Sequence, residues 1–213
     1  NCNKKHKMNK LEQTMVKDVY EKIAHHYNNT RVFTWDWITD FINSLPKNSL
    51  IYDVGCGNGR NMLFPNHNFI GIDNCHKFLE ICKSKNLNVI EANITKIPLK
   101  SNSANAIICI ATFHHLSNKI NCVNCLLELK RLINQDGKIL LSVWSKTQPA
   151  KTNRHFKNYG HTIVTWNKYG EIYERYYYIF NLDELYQLFK IAGLYVKSYQ
   201  YNCGNEIFIL IKI

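Results

Sequence analysis

The chain is short of acid. Its 213 residues carry 16 Asp and Glu against 27 Lys and Arg, a formal charge of +11. Such an excess favours an anionic partner, whether nucleic acid, an acidic small molecule or a membrane surface. A lysine-rich solvated surface would give the same number, so charge alone does not choose. Long hydrophobic runs are missing, and no apolar stretch approaches a membrane span. Four prolines and nine glycines in no periodic array exclude a collagen-like chain, and there is no internal repeat or low-complexity linker. The opening NCNKKHKMNK is basic and polar with no apolar segment behind it, so a secretory signal is not expected. The eight cysteines are dispersed, which suits a reducing compartment, cytoplasmic or nuclear. Only Cys122 and Cys125 have metal-ligand spacing, and no second pair completes a four-ligand site, so no bound metal is expected. What is present is 46% hydrophobic and 13% aromatic, enough for one globular domain with a large core.

Periodicity predicts helices over 11–27, 33–44, 77–85 and 182–192, the last stopped by Gly193. Another runs from an Asn118 cap to Ile133, closed by Gly137. Short apolar runs predict strands at 50–54, 69–72, 88–91, 106–111 and 138–144. Residues 195–201 and 206–213 read as a terminal hairpin around Cys203-Gly204-Asn205. From 145 to 170 the pattern breaks into a polar, basic and aromatic stretch, and EIYERYYYIF (171–180) reads as extended. Alternating strands and helices imply an α/β fold with a mostly parallel sheet, covered on both faces, and one antiparallel strand from the hairpin.

YDVGCGNGR (52–60) crowds three of the nine glycines into five positions after an apolar strand. In a doubly wound sheet that first turn faces the ligand, and glycine permits positive φ and close backbone approach. The spacing is G-x-G-x-G; the dinucleotide fingerprint needs a sixth-position glycine where Arg60 stands, which disfavours a pyrophosphate. Asp73 ends the second strand at about the offset where a carboxylate meets ribose hydroxyls. Turn and acid together point to a nucleoside-bearing cofactor, the bland alternative being a tight turn followed by a helix-start Asp.

These residues resemble the class I S-adenosylmethionine-dependent methyltransferases, a Rossmann-like fold of seven strands with helices on both faces. YDVGCGNGR looks like the family's first motif, GIDNC its acidic second motif, EANITKIPL its adenine segment and IICIATFHHLS its fourth-strand motif. The resemblance implies cofactor contacts from Tyr27, Asp53, Gly55, Cys56, Gly57, Asp73, Asn74, Asn93, Ile94 and Ile110. Asn93 stands where the family most often has Asp.

Four further segments narrow it: VYEKIAHHYNNTRVFTWDWI (19–38), ATFHHLS (111–117), LLSVWSKTQ (140–148) and ERYYYIFNLDELYQLFKIAG (174–193). They are similar to the eukaryotic tRNA wobble-uridine carboxymethyl methyltransferases, over nearly the whole chain from about residue 16. That implies methyl-ester formation on 5-carboxymethyluridine in a tRNA anticodon stem-loop, a small zinc-binding activator subunit as heterodimer partner, and no membrane. It divides 1–213, one methyltransferase domain, into a helical cap (1–46) and a substrate-side insertion (145–181). The insertion is very short between Trp166 and the Arg-Tyr-Tyr segment, a departure that trims tRNA-facing surface. The acceptor carboxylate is already ionised at neutral pH and needs no strong base. Arg31, His114 and His115 are the catalytic candidates; Trp144, Arg175, Tyr176 and Tyr177 would hold the base or a phosphate. Lysines and arginines over 4–22 and 146–168 would track the tRNA backbone. Arg31 could instead bridge two helices, one histidine could be structural, and Trp144 could be core. Two alternatives stay open: a methyltransferase for a small acidic molecule, and a non-catalytic RNA-binding relative.

Overall fold

The computed structural model describes residues 9–150, 152 and 154–212. Cys2, the basic residues Lys4, Lys5, Lys7 and Lys151, and Ile213 at the end of the expected hairpin lie outside them. Seven strands form one sheet in the order β3-β2-β1-β4-β5-β9-β8. They are β1 (Leu50–Val54), β2 (Asn68–Asp73), β3 (Val89–Glu91), β4 (Ala104–Ile110), β5 (Ile133–Trp144), β8 (Leu194–Asn202) and β9 (Asn205–Lys212). β9 runs antiparallel to both β5 and β8, and every other pairing is parallel. The expected α/β sheet with one antiparallel strand is therefore the observed one.

Parallel strands here are buried on both faces, and β4 shows why its sequence is nearly all apolar. Ile107 and Cys109 face α5 (Lys119–Leu132) and α6 (Leu182–Ala192), while Ala106, Ile108 and Ile110 face α3 (Asp36–Asn43). Each fully buried isoleucine there contributes about 1.5–3 kcal/mol of transfer free energy. The reversal of strand order between β1 and β4 opens a crevice at the carboxyl ends of the strands. Over that crevice lies a helical rod, α1 (Lys10–Glu12) and α2 (Asp18–Thr30), joined through π-helical Gln13–Lys17. A two-stranded antiparallel sheet, β6 (Gly160–Lys168) with β7 (Glu171–Ile179), packs against α2 through Trp166 and Tyr173.

Several local expectations change. α3 begins at Asp36, not Phe33, because Trp35 is held extended as its N-cap and Thr34 Oγ1 donates to the Arg60 carbonyl at 3.2 Å. α5 does start with Asn118 accepting the Asn121 N–H, but it ends at Leu132 without glycine. The chain enters β5 directly at Ile133, and Gly137 lies in that strand, where pairing with β4 jumps from Ile133 to Lys138. A Cβ on Gly137 would meet the Ile133 side chain at 2.5 Å, so the irregular pairing accounts for the glycine. β6 was not legible, since its exposed face mixes Ile163 with His161, Thr165 and Asn167 and gives no clean apolar alternation. α4 (His76–Ser84) matches the expected 77–85 closely. Between β1 and β2 the crossover holds only a 3-10 turn, Arg60–Met62, in place of an α-helix.

Candidate active site

Two hollows meet at the carboxyl ends of β1 and β4. The first runs over the glycine turn. Gly55, Gly57 and Gly59 all have positive φ. A Cβ on Gly55 would collide with the Thr112 side chain, whereas one on Gly57 would meet nothing within 4 Å. Gly57 thus presents bare backbone to open space. Its N–H donates to Asp73 Oδ2 at 2.8 Å, and the Cys75 N–H donates to Oδ1 at 2.9 Å. Burial pushes the Asp73 pKa up, against those backbone donors. Asn93 accepts from the Thr95 N–H and hydroxyl, fixing the turn that carries Ile94.

Asp53 lies beneath this turn, buried, with no hydrogen-bond partner on either oxygen among the described residues. Burial first, then the Asp73 charge, raise its pKa to about 8, while Arg60 works the other way. A buried carboxylate without a partner costs free energy unless a cation or donor reaches it. A ligand bearing a diol and positive charge answers these features, as S-adenosylmethionine does.

The second hollow shares Tyr20, Tyr27, Arg60, Ile110 and Ala111 with the first. Its charged walls are Arg31, Arg60, Arg154 and Arg175, and no Asp or Glu lines it among the described residues. Arginine planes lie on aromatic rings. Arg154 sits 4.3 Å over Trp144, Arg175 4.8 Å and Arg31 5.1 Å over Trp166. Trp144 stacks on Tyr177 at 4.3 Å and 6°. Arg175 is 5% exposed and donates to the hydroxyls of Tyr177 (2.8 Å) and Tyr20 (3.3 Å). Burial opposes its charge, but those hydroxyls outweigh that and raise its pKa.

The histidines divide. His115 Nδ1 lies 2.8 Å from the Tyr176 carbonyl, which can only accept, so Nδ1 carries the proton. Nε2 then accepts from the Tyr20 hydroxyl at 3.1 Å. Burial holds the His115 pKa down to about 3. His114 accepts the Trp144 N–H at Nδ1, 3.0 Å away, which puts its proton on Nε2. Burial, then the neighbouring His115, lower its pKa well below the usual range. Both are neutral at physiological pH.

Of the residues singled out from sequence, Tyr27, Gly55, Cys56, Gly57, Asp73, Asn74, Asn93, Ile94, Ile110 and His115 border the first hollow. Arg31, His114, Trp144 and Arg175 border the second. Asp53, expected to contact the cofactor, borders neither, since it is buried beneath the turn. Tyr176 does not border them either. Strand alternation turns it to the other face of β7 from Arg175 and Tyr177, and its hydroxyl bonds His161 Nδ1 at 2.7 Å. Tyr177 lines the second hollow. Tyr20 and Glu12 went unread. Tyr20 had only a helical spacing to Tyr27 as its signal, and Glu12 had none. Cys122 and Cys125 are buried in α5, Cys125 against Cys109.

Sheet order, glycine turn and acidic strand end define a class I S-adenosylmethionine-dependent methyltransferase. A family model described as a methyltransferase domain matches residues 52–141. A methyltransferase of this class from Clostridium acetobutylicum superposes with TM-score 0.67 at 13% identity, over 91% of this chain and 98% of that one. A Haloferax volcanii methyltransferase solved with the Trm112 methyltransferase activator gives TM-score 0.67 at 12% identity, over 92% and 96%. Among curated relatives, the tRNA (carboxymethyluridine(34)-5-O)-methyltransferase of Schizosaccharomyces pombe is 31% identical over 91% of this chain and 94% of its own. The Arabidopsis thaliana protein of that name is 37% identical over 65% of this chain. The chain spans 34% of that relative's length and 23% of a Xenopus tropicalis one. The chain belongs to the tRNA (carboxymethyluridine(34)-5-O)-methyltransferase family.

Proposed function

We propose that this protein methylates the carboxylate of 5-carboxymethyluridine at the anticodon wobble position of tRNA. The observation that carries the reading is the second hollow, with four guanidiniums and no carboxylate, opening beside the glycine turn. Bound S-adenosylmethionine supplies an electrophilic methyl. It would rest on Gly55 and Gly57, with its diol on Asp73; Asp53, buried beneath the turn, would act on its positive charge only from behind the backbone.

The acceptor carboxylate is ionised at neutral pH, so no side chain has to remove a proton. The neutral histidines agree with that. Arg175, anchored by two tyrosine hydroxyls, orients the acceptor, and Trp144 with Tyr177 gives a flat wall for an extruded uracil. Because the Tyr20 proton goes to His115, the Tyr177 hydroxyl donates to the Tyr20 oxygen 3.2 Å away, and the acceptor's oxygens are left to the guanidiniums that wall the hollow. In this reading 1–46 is the helical cap and 145–181 the substrate-side insertion. A small zinc-binding activator completes the reading; the Haloferax neighbour, solved with its own activator, supports it.

The test is methyl transfer from labelled S-adenosylmethionine to bulk tRNA from cells lacking the activity, with and without the activator, followed by nucleoside analysis. The expected product is 5-methoxycarbonylmethyluridine. Arg175→Lys, which keeps the charge and loses the fork, should lower kcat/KM roughly 10- to 100-fold, the scale of a charged hydrogen bond. Cofactor binding by calorimetry with no labelled RNA would move the reading to a small acidic acceptor.

A further inference from the structure

The loop from α2 to α3 exposes its apolar side chains. Phe33 is 84% exposed and Val32 59%, and Leu63, on the neighbouring loop after β1, is 60%. Leaving a phenylalanine in water forgoes about 1.5–3 kcal/mol of burial, so the exposure calls for an occupant. The loop itself is pinned. Asn58 Nδ2 donates to the Arg31 carbonyl at 2.9 Å, and Thr34 Oγ1 donates to the Arg60 carbonyl at 3.2 Å. Phe33 therefore projects from a pedestal fixed to the glycine turn. Arg31 and Trp35, two positions before and after it on the chain, both line the arginine-walled hollow.

We infer that Phe33 is a stacking platform for an unpaired nucleotide next to the one whose base enters that hollow; this rests on the proposed tRNA reading. Three observations select RNA as the occupant. The patch is continuous with the hollow through Arg31 and Trp35. The hollow's wall on the side of this loop carries the guanidiniums of Arg31 and Arg60, which suit the phosphates of a stacked base. The carboxylates of Asp36 and Asp40 line a separate groove beyond Trp35, together with Tyr199. They repel a phosphate chain there and leave the arginine side as its path. A base extruded into the hollow loses its own stacking, and its neighbour needs a new face.

The test is fluorescence anisotropy with a labelled anticodon stem-loop hairpin and the full chain, as wild type, Phe33→Ala and Phe33→Trp. Stacking predicts affinity about tenfold weaker for Phe33→Ala and near wild type for Phe33→Trp. A hairpin with an abasic site beside the target should bind wild type and Phe33→Ala alike. Equal affinity of wild type and Phe33→Ala for the intact hairpin overturns the inference and leaves the methylation reading standing. So does unchanged RNA affinity together with loss of a copurifying protein subunit, which would make the patch a protein interface. Phe33-dependent hairpin binding without methyl transfer to any tRNA would uphold the platform and sink the reaction. No hairpin binding by wild type would end both.

Discussion

Asp53 is the residue whose state should report cofactor arrival. Its carboxyl is buried without a partner and its pKa stands near 8, against an ordinary 3.8. An acid whose folded pKa is raised holds a proton that the unfolded chain has released. Between about pH 4 and 8 the folded state binds more protons, so stability falls as pH rises through that window. A cation bound in the hollow above the turn favours the ionised form through space and lowers that pKa. Calorimetry at pH 7 in buffers of different ionisation enthalpy should therefore show proton release on S-adenosylmethionine binding, and Asp53→Asn should abolish it. Equal apparent enthalpies in all buffers for the wild type would refute the linkage. The glycines and Asp73 could be read from sequence because backbone geometry and a diol leave few residue choices. The partition between Tyr176 and Tyr177 could not, because a run of three tyrosines gives no parity until β7 has a register.

At the scale of elements, the cap over the cofactor crevice is fastened at one corner. Glu12 accepts from the Ser117 N–H (2.7 Å) and hydroxyl (2.9 Å) and from Asn121 Nδ2 (2.9 Å), tying α1 to the start of α5. Glu12→Ala leaves those donors unmet, at a cost of roughly 1–3 kcal/mol. A lower Tm and faster S-adenosylmethionine dissociation in stopped flow are the expected results. An unchanged off-rate would mean that the clasp does not restrain the cap. The strands and α6 were legible because their burial pattern and caps are local, Asn181 and Gly193 marking both ends of α6. β6 was hidden because it pairs with β7 alone, in a two-stranded sheet apart from the seven-stranded one whose burial makes the other strands apolar. The start of β5 was hidden because its pairing with β4 is irregular.

For the whole molecule, the charge of +11 acquires a use only once the anionic partner is a polyelectrolyte. Binding of tRNA should weaken steeply with salt through counterion release. Lys157, exposed on the insertion, should contribute without choosing sequence. Lys157→Ala is expected to weaken all tRNAs alike and to reduce the log–log salt slope by about 0.7–0.9. A loss confined to one tRNA species would instead make Lys157 a reader of sequence. No helix among the described residues is long and apolar enough to cross a membrane.

The arginine-walled hollow also bears on what happens after transfer. On the proposed reaction, a carboxylate would enter it as an anion and a methyl ester would leave it neutral. The attraction that recruits the acceptor is cancelled by the same event that completes it. Finished tRNA, although identical elsewhere, would compete poorly with unfinished tRNA. Turnover would then need no separate ejection step, and the enzyme would tell new work from old by a single unit of charge.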